Sequence, residues 1–265
     1  MKGETLGSKL RCLQYSLRAV FVFAFLIGLL EARSLNAQNA GERPNEVRKN
    51  SFGIIAAYSP DSSHILLGIA EKRKLWDFGG SYGRLLWSRP MADWRYEAEV
   101  LPLTLEGDPR SRYLNQQTSP TATTTILDGP PPIYCAPMTQ SYDFKDPKGV
   151  RYRGVFHLFC HDRQWTVGQG MSPLGLRWNL LPRRKLQPTF VAHVGYMYST
   201  RPVPVPFAGS FNFAFDFGPG IELYRSRTLS LMLEYRYHHT SNHNSAMENP
   251  GIDNGLFQVS YVFHR

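Results

Sequence analysis

The chain has 265 residues, 42% of them hydrophobic, with 30 Lys and Arg against 21 Asp and Glu and a formal net charge of +9. That suffices for one large domain or two small ones. Beyond the N-terminal region no apolar run reaches the roughly 20 residues that a spanning helix needs, which excludes a helical membrane protein and leaves strands as the only means of insertion.

Lys2, Lys9, Arg11 and Arg18 precede an apolar run from Ala19 to Leu30, and small or polar residues follow to Ala37. This reads as a secretory signal peptide over 1–37, with Ala40 as a second cleavage position. Its removal takes away five Lys/Arg and two Asp/Glu and leaves a net charge of +6. A basic exported chain suits anionic lipid head groups or acidic polysaccharide. Nucleic acid is not expected as a partner. Cys12 falls in the signal, so Cys135 and Cys160 remain for an oxidising compartment, and a disulfide is the default reading. A metal site built on Cys160, His157 and His161 is the alternative, and no second cluster supports it.

Residues 38–50 are polar and read as a flexible segment. Strand signals then repeat over 51–265. They cover Phe52–Tyr58, Leu75–Trp87, Asp93–Leu105, Gly170–Leu181, Leu186–Ser199, Ser210–Tyr224, Leu229–Thr240 and Gly255–Phe263. In the third, Trp94, Tyr96, Ala98 and Val100 alternate with Asp93, Arg95, Glu97 and Glu99. In the sixth, Phe211, Phe213, Phe215 and Phe217 alternate with Asn212, Ala214 and Asp216. Such alternation fits a soluble sandwich as well as a membrane barrel. Three features favour the barrel. Several strands are long enough to cross a membrane at a tilt. Trp76, Trp87, Trp94, Trp178, Tyr198 and Tyr224 lie near strand ends, as in an interfacial girdle. Tight turns at Ser88–Ala92, Pro182–Lys185 and Arg225–Thr228 alternate with long connections at 59–74, 106–169, 200–209 and 241–254. The expected fold is therefore all-β, an eight-stranded antiparallel transmembrane barrel of outer-membrane type with a long outer loop over 106–169. Within that loop Thr121–Thr125 and Pro130–Pro132 read as irregular, and Arg151–Cys160 as a hairpin arm. Glu97, Asp216, Glu234 and Arg236 are expected to form an interior polar network, and Lys72-Arg73-Lys74 a solvated loop end. Gly79-Gly80-Ser81-Tyr82-Gly83 has the spacing of a nucleophile elbow, but strand follows it, so easing of barrel curvature is the better account.

Leu229, Leu231, Leu233, Tyr235 and Tyr237 alternate with Ser230, Met232, Glu234, Arg236 and His238. The apolar series runs on into His239 and Ser241, so an imidazole and a hydroxyl end a lipid-facing strip. A hydroxyl becomes a nucleophile beside a base, and the base needs an acid to orient it. Asp253, after the turn at Pro250-Gly251, opens the next strand and can reach His239; Glu248 is the alternative acid. The amide of Asn242 and a neighbour within His243–Ser245 are candidate oxyanion donors, and Asn249 can hold the loop or donate.

His239-Thr240-Ser241-Asn242 followed by Asn249-Pro250-Gly251-Ile252-Asp253 resembles the lipid A 3-O-deacylase (acyloxyacyl hydrolase) family of outer-membrane enzymes. That family has a His-x-Ser-Asn motif ending the penultimate strand and an acid at the start of the last. Members commonly carry Glu where this chain has Asp253, and small residues where it has His243-Asn244. The resemblance implies an eight-stranded barrel with a Ser–His–acid triad, and with both mature termini periplasmic the seventh strand ends at the outer rim, which puts Ser241 at the outer leaflet. The resemblance also implies hydrolysis of an ester-linked 3-hydroxyacyl chain of lipopolysaccharide lipid A, without metal or organic cofactor. Phe257, Val259, Tyr261 and Phe263 share one face, like the signal read by the barrel-assembly machinery. A homodimer is left open. Two other functions stay in view, a non-catalytic barrel that binds lipid or a partner and an outer-membrane phospholipase.

Overall fold

The computed structural model describes residues 48–265. The expected signal peptide, and all but the last residues of the segment 38–50, lie outside the described residues. Ten strands follow in order: β1 (Asn50–Ser59), β2 (Lys74–Ser88), β3 (Ala92–Ser119), β4 (Thr123–Asp128), β5 (Met138–Lys145), β6 (Arg151–Leu180), β7 (Leu186–Ser199), β8 (Phe211–Tyr224), β9 (Leu229–Ser241) and β10 (Ile252–His264). No helix occurs among the described residues.

Eight strands close into a ring. Strand β1 pairs with β2 and β10, β2 with β3, β3 with β6, and β6 to β10 pair in succession, all antiparallel. Closure leaves the cylinder without a free edge. The tight turns sit at one end, where Asn50 and Arg265 exchange backbone hydrogen bonds. The long connections all leave the other end.

The alternation in the sequence becomes an outside and an inside. On β7, Val194 is 58% exposed while its neighbour His193 is buried. On β8, Phe213, Phe217 and Ile221 face out and Asn212, Asp216 and Glu222 face in. Lipid replaces water around such an exterior. Val194→Lys, near the middle of β7, is expected to destabilise the barrel by about 2–4 kcal/mol. Urea unfolding in phospholipid vesicles measures this. Most of the expected girdle is present: Trp87, Trp94, Trp178 and Phe190 form a ring-to-ring row across β2, β3, β6 and β7 at the turn end. Tyr224 does not join it. It lies on the inward parity of β8 and stacks on His264 at 4.9 Å.

The interior is polar and held by charge. Arg236 donates from Nη1 to Glu99 and Asp216, each at 3.1 Å, and from Nη2 to Glu99 at 3.0 Å and Glu234 at 2.5 Å. Arg177 pairs with Glu97, and His193 meets Asp216 at 3.1 Å. Glu97, Asp216, Glu234 and Arg236 thus belong to one network, as the alternation predicts. Gly79 lies in β2 at a register shift, where a Cβ would fall 2.1 Å from the Val100 carbonyl; close strand approach explains that glycine.

The connection 106–169 is mostly strand and not loop. Strands β3 and β6 run on past the barrel, paired from Glu106↔Thr166 to Ser119↔Arg153. Strand β4 adds to the outer edge of β3 and β5 to that of β6, which makes a four-stranded arm. The Thr-rich stretch read as irregular is partly β4. β-branched Thr suits an edge strand wetted on both faces, where no apolar alternation marks it. The Cys135–Cys160 disulfide ties the 129–137 connection to β6. Lys72-Arg73-Lys74 also departs from expectation. Arg73 is fully buried and donates to Asp108 and to the carbonyls of Glu71, Pro132 and Ile133. It clamps the 60–73 loop to the base of the arm. Burial lowers its pKa, and Asp108 and Glu106 offset that.

Candidate active site

Strand parity sets the site. On β9 the odd residues point outward, and the series Leu233, Tyr235, Tyr237 continues into His239 and Ser241. On β10 the outward series is Asp253, Gly255, Phe257 and Val259. The register pairs Asp253 directly with His239. Two outward side chains at opposed positions of an antiparallel pair are close neighbours. His239 Nδ1 and Asp253 Oδ1 lie 2.7 Å apart. A carboxylate only accepts, so Nδ1 carries the proton, and in the neutral ring Nε2 is then the acceptor. The direct register lets the short Asp make the contact without the extra methylene of a Glu.

Asp253 is fully buried although it faces outward. Its cover is the 60–73 loop. The amides of Leu66 and Leu67 donate to Oδ2 at 2.7 and 2.9 Å, and the Tyr237 hydroxyl donates to Oδ1 at 2.7 Å. With His239, four donors saturate the carboxylate. The loop is laced to this end of β10 by Ser63 N to Asp253 O, Ile69 N to Pro250 O and Ala70 N to Gly251 O. Gly68 passes so near that a Cβ would lie 2.5 Å from Asp253 N and 2.8 Å from its Oδ1. Gly68→Ala is therefore expected to lift the loop off the acid. Hydrogen exchange at the Leu66 and Leu67 amides should rise at least about tenfold, while β9 and β10 amides stay protected.

Ser241 ends β9 opposite Phe213 and is half-buried. It shares the outward face with His239 two residues away, about 6–7 Å between Cα atoms. No hydrogen bond joins Ser241 Oγ to His239 among the described residues. The imidazole is walled by Phe215 at 5.1 Å and Tyr237 at 6.5 Å between ring centroids. Beyond Ser241 the chain turns at once. His243 and Asn244 have φ of 51° and 60°, and Ser245 N donates to Asn242 O, the pattern of a type I′ turn. Asn and His tolerate that conformation better than most side chains, and glycine would suit it best.

The Asn242 amide, a candidate oxyanion donor in the sequence, is engaged. It donates to Asn249 Oδ1 at 3.0 Å, while Asn242 Nδ2 donates to the Glu248 carbonyl at 2.6 Å. Asn242 and Asn249 therefore clasp the 242–251 loop. Glu248 enters through its backbone, with its amide on the Phe207 carbonyl, and Asp253 is the carboxylate that meets His239. Sequence reasoning missed Tyr237, which parity alone puts beside His239. It also missed the Leu66 and Leu67 amides, for which a backbone donor leaves no residue-type signal.

Residues 143–262 match the family model of the lipid A 3-O-deacylase (PagL). The match runs from β5 through most of β10 and includes His239, Ser241 and Asp253; it stops short of β1 to β4. The resemblance read from residues 229–263 is thereby borne out. Among curated proteins nothing matches the chain. Solved structures similar to it include Neisserial surface protein A, at 11% identity over 82% of this chain and 97% of that one with a TM-score of 0.40. The β domain of the Bordetella autotransporter BrkA follows at 10% identity, 83% and 100% coverage and a TM-score of 0.28. The outer-membrane protease OmpT from Escherichia coli stands at 9% identity, 82% and 95% coverage and a TM-score of 0.24. At these scores the eight-stranded closure stands on its own strand register. With its apolar exterior and this family match, the chain is a barrel of the bacterial outer membrane.

Proposed function

We propose that the chain is a lipid A 3-O-deacylase working as a serine esterase from the outer leaflet. One observation carries the reading: Asp253, His239 and Ser241 stand on the lipid-facing side of the rim, with His239 Nδ1 held at 2.7 Å by Asp253. A hydroxyl and an imidazole there have little structural use, since polar groups toward hydrocarbon are costly. They suit a substrate whose ester lies at the head of an acyl chain.

Ser241 Oγ attacks the ester carbonyl and His239 Nε2 takes its proton. The tetrahedral intermediate collapses to an acyl-serine as His239 passes that proton to the departing sugar oxygen. Water, deprotonated by His239, then attacks the acyl-serine. Ser241 takes back the proton, and the 3-hydroxy fatty acid leaves. Asp253 fixes the tautomer and offsets the imidazolium charge. With the Asn242 amide on Asn249, the following amides of the turn, His243 and Asn244, are the natural donors to the oxyanion. No step calls on a metal or organic cofactor. Insertion through the barrel-assembly machinery, read from the aromatic last strand, belongs to the same reading.

Mass spectrometry of lipids from bacteria that express the chain tests this. Lipid A should lose the mass of one hydroxyacyl chain, with phospholipids unchanged. Lysophospholipid in place of deacylated lipid A would assign a phospholipase, and no change in either would leave a binding barrel.

A further inference from the structure

The 60–73 loop joins two features that have no reason to coincide in a plain connector. Ile65, Leu66 and Leu67 are consecutive large apolar residues, 45%, 59% and 60% exposed. The backbone of two of them grips Asp253, through the Leu66 and Leu67 amides at 2.7 and 2.9 Å. Asp253 heads the outward column that continues down β10 through Gly255, Phe257, Val259 and Tyr261. The triplet is thus fastened to the top of the lipid-facing surface and extends it upward. Three uncharged aliphatic side chains at that level fit hydrocarbon, not phosphate or sugar. Phe207 and Met247, on two other connections at this end of the barrel, are exposed as well.

We propose that Ile65–Leu67 is a lipid-docked latch. Its side chains sink among the acyl chains of the outer leaflet, and this docking holds the Leu66 and Leu67 amides on Asp253. The two amides fix the orientation in which the carboxylate meets His239, and docking keeps them in place during turnover. Without the latch Asp253 keeps Tyr237 and His239 but loses both donors to Oδ2, so its carboxylate is free to turn. Ile65, Leu66 and Leu67 are positioning residues that act through Asp253, and the proposal rests on the esterase reading above. The small Gly68 and the loop lacing to Pro250 and Gly251 are what allow so close an approach.

Two measurements on the full chain test it. The first needs no activity. Leu66→Trp, refolded in phosphatidylcholine vesicles with brominated acyl chains, should show fluorescence quenching beyond that of the unaltered protein. An added tryptophan that is not quenched places the loop in water and overturns the proposal. The second compares Ile65→Gln/Leu66→Gln/Leu67→Gln with the conservative Ile65→Leu/Leu66→Met/Leu67→Met. Both are assayed on a short-chain water-soluble ester, with and without added phosphatidylcholine vesicles, in barrels shown to be folded. The unaltered and conservative proteins should gain activity with vesicles, and the Gln variant should lose at least about tenfold of that vesicle-dependent rate. Equal activity of the Gln variant, or an equal loss in the conservative one, overturns the latch. Retention of full activity by Ser241→Ala would instead overturn the esterase reading, and the quenching result would still decide the docking.

Discussion

Replacement of Ser241 by Ala is expected to lower lipid A deacylation by a factor of at least about a thousand while the barrel stays folded. The hydroxyl is the atom that attacks, and nothing on the same face of β9 replaces it. Tyr237 lies two residues beyond His239, but its hydroxyl is engaged by Asp253. The fold has little stake in the change: Ser241 is half-buried at the end of β9, and Ala keeps the Cβ. His239→Asn should cost about as much. The double variant should fall little further, because nucleophile and base act as one unit. The measurement is release of hydroxy fatty acid from lipid A by purified protein. Heat-modifiable migration on a gel serves as the control for folding. Losses that add across the two sites would contradict a shared proton.

The second large effect lies inside the barrel, away from the site. Arg236→Met should destabilise the protein by about 3–5 kcal/mol. The guanidinium is the common partner of Glu99, Asp216 and Glu234, all buried. Its removal leaves Glu99 and Glu234 with the neutral hydrogen bonds of Gln258, and Asp216 with His193, in place of a shared cation. Met keeps an unbranched stem out to the position of Nε, so the loss falls on the guanidinium and its charge. The denaturant midpoint in vesicles reads the effect. A Glu99→Gln change added to Arg236→Met should recover part of it, since one of the stranded charges is then gone. A midpoint that does not move would show that the interior is wet enough to solvate the carboxylates.

Much of this was legible because strand chemistry has a period of two. Parity alone put Glu234 and Arg236 inside and His239 and Ser241 outside, and the turn at Pro250-Gly251 set Asp253 on the next strand. The same rule, applied one step further, would have found Tyr237 and turned Tyr224 inward. What stayed hidden depends on groups with no residue identity or no alternation. The Leu66 and Leu67 amides are backbone donors, and any sequence could supply them. Of the arm, Arg151–Cys160 was legible, though it is part of the single strand β6 and not a hairpin; the rest escaped because its edge strands β4 and β5 are wetted on both faces, so Thr123–Asp128 looks like loop. Arg73 looked like one of three loop cations, and only the carbonyls of Pro132 and Ile133, about 60 residues away in the chain, show that it is a buried clamp.

The central claim is that an activated hydroxyl faces outward from the barrel rim, and a fluorophosphonate probe tests it most directly. After incubation with the full chain in vesicles, peptide mapping by mass spectrometry should find the phosphonyl adduct on Ser241. His239→Asn should abolish it. An adduct on another residue, or an unmodified Ser241 in folded protein, would contradict the account.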